Sequence, residues 1–355
     1  RMRYMQKIEG NLSRAGMAIL VVTALAFMAA VFRNAWVGDD AYIIFRTIEQ
    51  LFAGNGPRWN VVDRVQTFTS PLWFLLLCVP RIFNEDNYLN VVLFSLLLDA
   101  MLIILFFRFI RNLRVFVLSL LVLVISNSFM DYTTSGLEYP VIYFLCVVFF
   151  TAYIGFCKSG DSNQFAKMLF SGGLLLLSRH DLLLTVVFPV AHTCWKSWRI
   201  YGLRNILNFS FLLFGPIVLW TLFSLFYYGV PVPNTAYAKL GIGAPHLQLL
   251  EQGAIYFLNG VYFDFISVLV MVIATIAGLS SRHTEYRVMA LTIVTVSAYI
   301  IWVGGDFMSG RFYAHLVLVS VLLLAPQPVE DACPSLHPLG TAGLAAIMQV
   351  NAGFY

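Results

Sequence analysis

Apolar runs long enough to cross a bilayer recur from one end of this chain to the other, and they dictate what it can fold into. Residues 15–32, 89–110, 115–130, 137–157, 203–228, 254–279, 288–303 and 312–325 approach or exceed the roughly 20 apolar residues of a spanning helix. Two further runs, 168–178 and 182–195, are separated only by Arg179, His180 and Asp181, which reads as two short helices whose polar hinge dips below the membrane surface. A soluble globule is excluded: 60% of residues are hydrophobic, 11% are charged and the mean hydropathy is +0.80, so too little polar surface exists to cover one. The expected fold is all-α, a polytopic integral membrane protein of about 10 transmembrane helices.

The first run lacks a small-residue cleavage site and is read as a retained span. Residues 71–83 form a shorter run bracketed by Pro71 and Pro80, expected to be interfacial or re-entrant. With that segment kept out of the count of crossings, Arg1, Arg3, Lys7, Arg14, Arg108, Arg111, Arg114, Lys158, Lys167, Lys196, Arg199, Arg204, Arg282 and Arg287 fall on one side. These are 14 of the 22 lysines and arginines, which marks that side as cytoplasmic. The unusual polar motifs then face outward. A net charge of +4, dispersed in short clusters between spans, excludes nucleic acid as a partner. Cys78, Cys146, Cys157 and Cys194 lie in or beside apolar runs and Cys333 in the polar tail, with no metal-ligand spacing and no evident disulfide pair.

The adjacent carboxylates Asp39 and Asp40 stand where the first span meets water and open a stretch in which Ile44, Ile48, Leu51 and Phe52 repeat at helical spacing. One of them could simply cap that helix, but consecutive helical residues point about 100° apart, so both cannot serve the same donors. Glu138, behind Thr133 to Leu137, begins a span and suits a helix N-terminus. Arg179, His180 and Asp181 put three ionisable groups inside an apolar hairpin, which is expensive without pairing or a task. The loop 228–239 delivers Asn234, Tyr237 and Lys239 together after Pro231 and Pro233. Lys239 is either a phosphate contact or a snorkelling surface cation. In 304–311, Asp306 and Arg311 flank a glycine-rich turn, where Arg311 either pairs with Asp306 or offers its fork to phosphate oxygens.

Five segments in order resemble one family. They are Gly38-Asp39-Asp40-Ala41-Tyr42 through Trp59-Asn60, Thr69-Ser70-Pro71-Leu72-Trp73, then Thr134-Ser135-Gly136-Leu137-Glu138, Pro233-Asn234-Thr235 to Lys239, and Gly304-Gly305-Asp306-Phe307-Met308 with Arg311-Phe312. Together they resemble the bacterial polyprenyl-phosphate-dependent glycosyltransferases of the GT-C class, in particular the terminal arabinofuranosyltransferases of mycobacteria and corynebacteria. The hinge departs from the family's Arg-Pro-acid pattern at His180. Residues 1–326 are expected to form a GT-C-like transmembrane domain whose first extracytoplasmic loop, about 34–88, is catalytic. The tail 327–355 matches nothing in the pattern and is read as a truncated remainder.

The resemblance implies a multi-pass protein of the bacterial cytoplasmic membrane with its site facing the exterior. It implies transfer of a sugar from a polyprenyl-phosphate donor to a hydroxyl of a cell-envelope glycan or lipid-linked acceptor. A phosphate leaves readily without a proton donor, so one base suffices. Asp39 is expected to be that base in an inverting displacement, while Asp40 orients the acceptor, caps the helix or holds a divalent cation (Mg or Mn) with Asp39. Arg179, His180, Asp181, Asn234, Tyr237, Lys239, Asp306, Arg311 and Glu138 are expected to bind the donor phosphate or the substrates. The rival readings are a secondary transporter or flippase, which would place broken helices in two repeated halves, and a non-catalytic scaffold. No internal repeat is present in the sequence.

Overall fold

A computed structural model of the chain describes residues 13–110, 112–233 and 245–325. Among these residues there are helices and no strands. The helices are α1 Arg14–Arg33, α2 Asp39–Phe52, α3 Pro71–Arg81, α4 Asn87–Ile110, α5 Leu113–Ile125, α6 Asn127–Met130, α7 Tyr139–Ser159, α8 Ser162–Ser178, α9 Leu183–Tyr201 and α10 Leu203–Tyr228. After the next stretch come α11 His246–Phe263, α12 Phe265–Ser280, α13 Thr284–Val303 and α14 Ala314–Leu324.

α1, α4, α7, α13 and residues Ile206–Tyr228 of α10 are long and apolar enough to cross a membrane. The bent pair α11 and α12 makes a sixth if counted as one span. Among the described residues, five or six helices thus pass on length and composition, where the apolar runs suggested about ten. The difference lies in α5 and α14, which are apolar but short, and in α8 and α9 on either side of the Arg179 hinge; α3 is not among the expected crossings. The fold class itself, an all-α membrane bundle, is as expected.

Two expected spans are broken. The run 254–279 turns by 110° at Asp264, because that carboxylate accepts the Ser128 amide at 2.6 Å, the Ser128 hydroxyl, and the Ser267 hydroxyl at 2.6 Å. A buried acid with such donors on offer gains more by ending one helix and starting another than by lying unsatisfied inside a straight one. The run 115–130 stops at Ile125, where Ser126 turns its hydroxyl to the Phe129 amide at 3.1 Å and starts α6.

The centre of the bundle is α7 and α14. Every residue of α14 from Ala314 to Leu323 is buried, as a helix apolar on all sides must be when protein surrounds it. Close approach at this depth depends on small residues. A Cβ on Gly173 of α8 would sit 2.5 Å from the Leu213 carbonyl oxygen of α10, and one on Gly253 of α11 would sit 2.3 Å from the Ile301 oxygen of α13.

Candidate active site

The site is assembled on the segment 131–138, which links α6 to α7. Thr133, Thr134, Ser135 and Glu138 are buried there despite their polarity. The Thr133 hydroxyl donates to the Met130 oxygen at 2.7 Å, while the segment's other partners come largely from the first loop. The Gly38 amide donates to the Ser135 oxygen at 2.9 Å, the Trp36 amide to Thr134 Oγ1 at 3.3 Å, and the Trp36 indole to the Asp131 oxygen at 2.7 Å. The Trp73 indole, wholly buried at the start of α3, donates to the Gly136 oxygen at 2.9 Å. Gly136 has φ +80°, and a Cβ there would meet that of Ala41 at 2.6 Å, so α2 lies directly on this turn.

Docked in this way, α2 presents its N-terminus to the site. Gly38 is the N-cap and no side chain caps the helix, so the capping role considered for Asp39 or Asp40 is not realised. Asp39 is exposed, and among the described residues its Oδ1 accepts only the Asp40 amide at 2.9 Å. Asp40 is half-buried, with Oδ2 3.5 Å from Arg311 Nη1. The same guanidinium nitrogen lies 3.4 Å from Asp306 Oδ2. Asp306 and Arg311 are thus the ion pair foreseen for the glycine turn, but the arginine is shared with the first loop. Neither Arg311 Nε nor Asp306 Oδ2 has a hydrogen-bond partner among the described residues, the Asp306 contact being a charge contact without hydrogen-bond alignment.

The turn 304–311 is held from two sides. The Tyr256 hydroxyl donates to the Met308 oxygen at 3.2 Å and accepts the Phe312 amide at 3.1 Å, while the Tyr132 hydroxyl donates to the Ser309 oxygen at 2.8 Å. Gly305, at φ +73°, lets the chain pass the Tyr256 ring, where a Cβ would come within 2.6 Å.

A second cation stands beside this turn. Arg179 forks onto Asp181 through Nε at 3.0 Å and Nη2 at 2.8 Å, and its Nη1 donates to Glu138 Oε1 at 3.0 Å. Its guanidinium lies 5.3 Å from the centre of the Phe312 ring, next to Arg311 in sequence. Burial opposes charge on Arg179, but the Asp181 carboxylate outweighs it and holds the guanidinium well above its ordinary pKa. Burial likewise opposes ionisation of Asp181, and the Arg179 charge and hydrogen bonds reverse this, leaving that carboxyl below its usual range. For Arg311 burial works against the cation and the field of Glu138 restores it, so its pKa is raised.

Asp40, Glu138, Arg179, Asp181, Asp306 and Arg311, drawn from four distant segments, therefore meet at one end of the bundle, with Asp39 at the rim. His180 points to the exposed side and makes no hydrogen bond among the described residues. Asn234, Tyr237 and Lys239 lie outside the described residues. No group of three or more His, Cys, Asp or Glu assembles a metal site among the described residues. Asp39 and Asp40 could still supply the one or two carboxylates by which Mg²⁺ is commonly held together with substrate phosphates. Asp264, Tyr132 and Tyr256 were missed. The tyrosines carried no local signal, whereas an acid inside the run 254–279 was itself the anomaly that should have singled out Asp264.

The fold has a known counterpart. The structure matches ArnT from Cupriavidus metallidurans bound to undecaprenyl phosphate with a TM-score of 0.56 at 14% identity, covering 94% of this chain and 64% of that one. The apo form of the same protein matches at 0.55. The fold is a GT-C fold. No protein-family model matches the chain. Among curated proteins it is similar to the terminal beta-(1->2)-arabinofuranosyltransferase of Mycobacterium tuberculosis, 27% identical over 90% of this chain, and to that of Corynebacterium glutamicum, 25% identical over 86%. The chain spans 56% and 50% of the lengths of these two relatives.

Proposed function

We propose that this chain carries the membrane-embedded catalytic part of a glycosyltransferase that moves a sugar, arabinofuranose on the strength of its relatives, from a polyprenyl-phosphate donor to a hydroxyl of a cell-envelope glycan. The observation that carries this reading is the contact of Asp40 with Arg311, which unites the first loop with the last polar turn in a single charged site.

The division of labour follows from exposure and pairing. Asp39 is exposed and has one oxygen uncommitted, so it can take the proton of an incoming hydroxyl. Asp40 faces Arg311 and therefore positions rather than abstracts. In the step itself the acceptor oxygen forms a bond to the anomeric carbon, its proton passes to Asp39, and the bond from that carbon to the phosphate oxygen breaks on the opposite face. Configuration inverts and the lipid phosphate departs with the electron pair. Arg311, with Nε unpaired, and Arg179, held cationic by Asp181, supply positive charge where the phosphate's negative charge grows. A divalent cation, Mg or Mn, held by Asp39 and Asp40 would add to that neutralisation. Basic residues at the far end of the bundle, such as Arg108 and Lys167, support an extracytoplasmic site in a bacterial cytoplasmic membrane.

Asp39→Asn keeps size and removes basicity. Transfer of radiolabelled sugar from a polyprenyl-phosphate donor should fall by roughly 10²- to 10⁴-fold, with donor binding retained. Near-normal transfer by this variant would remove Asp39 from the base role.

A further inference from the structure

At the end of the bundle away from the ion pairs, a cleft of about 280 Å³ opens between α4, α7 and α8. Leu105, Phe109, Val148 and Ala152 form the apolar part of its wall, Thr151 and Gln164 also line it, and it carries two cations, Arg108 and Lys167. Neither cation has an acidic partner among the described residues. α4 starts beside the first loop, where Asn87 donates to Glu49 of α2. At 1.5 Å per residue Arg108 lies roughly 30 Å further along the axis, the thickness of a bilayer's hydrocarbon core. The cleft therefore stands at headgroup level of the opposite leaflet.

The outer face of α4 points to the same conclusion. Leu93, Leu97, Met101 and Ile104 are exposed at spacings of four, four and three residues, and Arg108 continues that row. A row of exposed apolar side chains ending in a cation, beside a pocket with a second cation from a different helix, matches the two halves of a charged lipid. Orientation of a span would need only scattered basic residues at its end. Here residues 59 positions apart share one apolar-walled cleft, and half-buried Gln164 adds a neutral donor to it.

We propose that this cleft binds an anionic phospholipid of the leaflet opposite the active site, with its phosphate between Arg108 and Lys167 and an acyl chain against Leu105, Phe109 and the outer row of α4. The inference depends on the membrane fold and not on the reaction.

Native mass spectrometry of the full chain, released from nanodiscs of equal phosphatidylglycerol and phosphatidylcholine, reads it directly. Phosphatidylglycerol should be retained in preference by roughly 30-fold, the product of two basic contacts. Arg108→Gln with Lys167→Gln should abolish that preference, and Arg108→Lys with Lys167→Arg should keep it. A fluorophore at Ile104→Cys, which leaves both cations intact, should be quenched by brominated phosphatidylglycerol more than by brominated phosphatidylcholine. Equal retention of the two lipids by the unmodified chain, or an unchanged preference in the charge-neutral variant, overturns the proposal. Displacement of phosphatidylglycerol by undecaprenyl phosphate at the quenched position would assign the cleft to the donor lipid and overturn it as well.

Discussion

Arg179 has three charge-assisted hydrogen bonds, and its two acidic partners, Asp181 and Glu138, depend on it in return. Its side chain is 13% exposed and that of Glu138 3%, so removing the guanidinium leaves a buried carboxylate uncompensated. Arg179→Ala should cost about 3–5 kcal/mol of stability, measured by thermal unfolding in detergent. Arg179→Lys should restore only part of it, because a single ammonium cannot fork onto Asp181 while reaching Glu138. The same pair sets an acid limit. The folded pKa of Asp181 lies below its ordinary value, so its contribution is complete at pH above the ordinary carboxylate range and is lost as pH falls through the depressed value. Thermal stability should therefore decline at acidic pH more steeply in the unmodified chain than in Asp181→Asn. Asp99, fully buried in α4, shows the opposite situation: neither of its oxygens is bonded among the described residues, and nothing around it accounts for its presence.

At the scale of elements, α2 is an ordinary amphipathic helix whose importance comes from where it docks. Of the row read from the sequence Ile44 and Ile48 are buried, joined by Phe45, while Phe52 at its end is exposed; Arg81 of α3 clasps Glu49 through two contacts of 3.2 Å. Which surface receives α2 was not visible, since it is decided by backbone groups of 131–138 that any sequence possesses. Gly136→Ala tests the docking. The left-handed φ and the contact with Ala41 should together cost about 1–3 kcal/mol. Transfer should fall with it, since Asp40 would no longer reach Arg311, and protease sensitivity within 39–70 should rise. The bend at Asp264 is a similar case. Apolarity alone described 254–279 as one span, while the carboxylate's donors come from Ser128 and Ser267, the first of them 136 residues away in sequence.

Across the whole molecule, the helices bring Asp40 and Arg311 together although 271 residues separate them. A double-mutant cycle of Asp40→Asn and Arg311→Gln on donor kcat/KM should return a coupling of about 0.5–1 kcal/mol, modest because the Asp40 side chain is 35% exposed. Independent, additive losses would show that the two loops do not act as one site. Cysteine labelling from outside intact cells should reach Asp39→Cys and Phe307→Cys alike, both being exposed at the same end of the bundle.

The amino-acid sequence by itself determined the solvent this protein folds in and the short segments that carry its charge, because hydrophobic run length and the cost of burying ionisable groups are local properties. It also contained Asp39, Asp40, the hinge and the glycine turn as separate motifs. Only the tertiary structure decided that Arg311 serves two loops, that Arg179 serves two acids, and that Asp264 breaks a span. Those choices depend on hydrogen bonds and ion pairs between residues far apart along the chain, and no pattern within one segment records which distant segment will satisfy it.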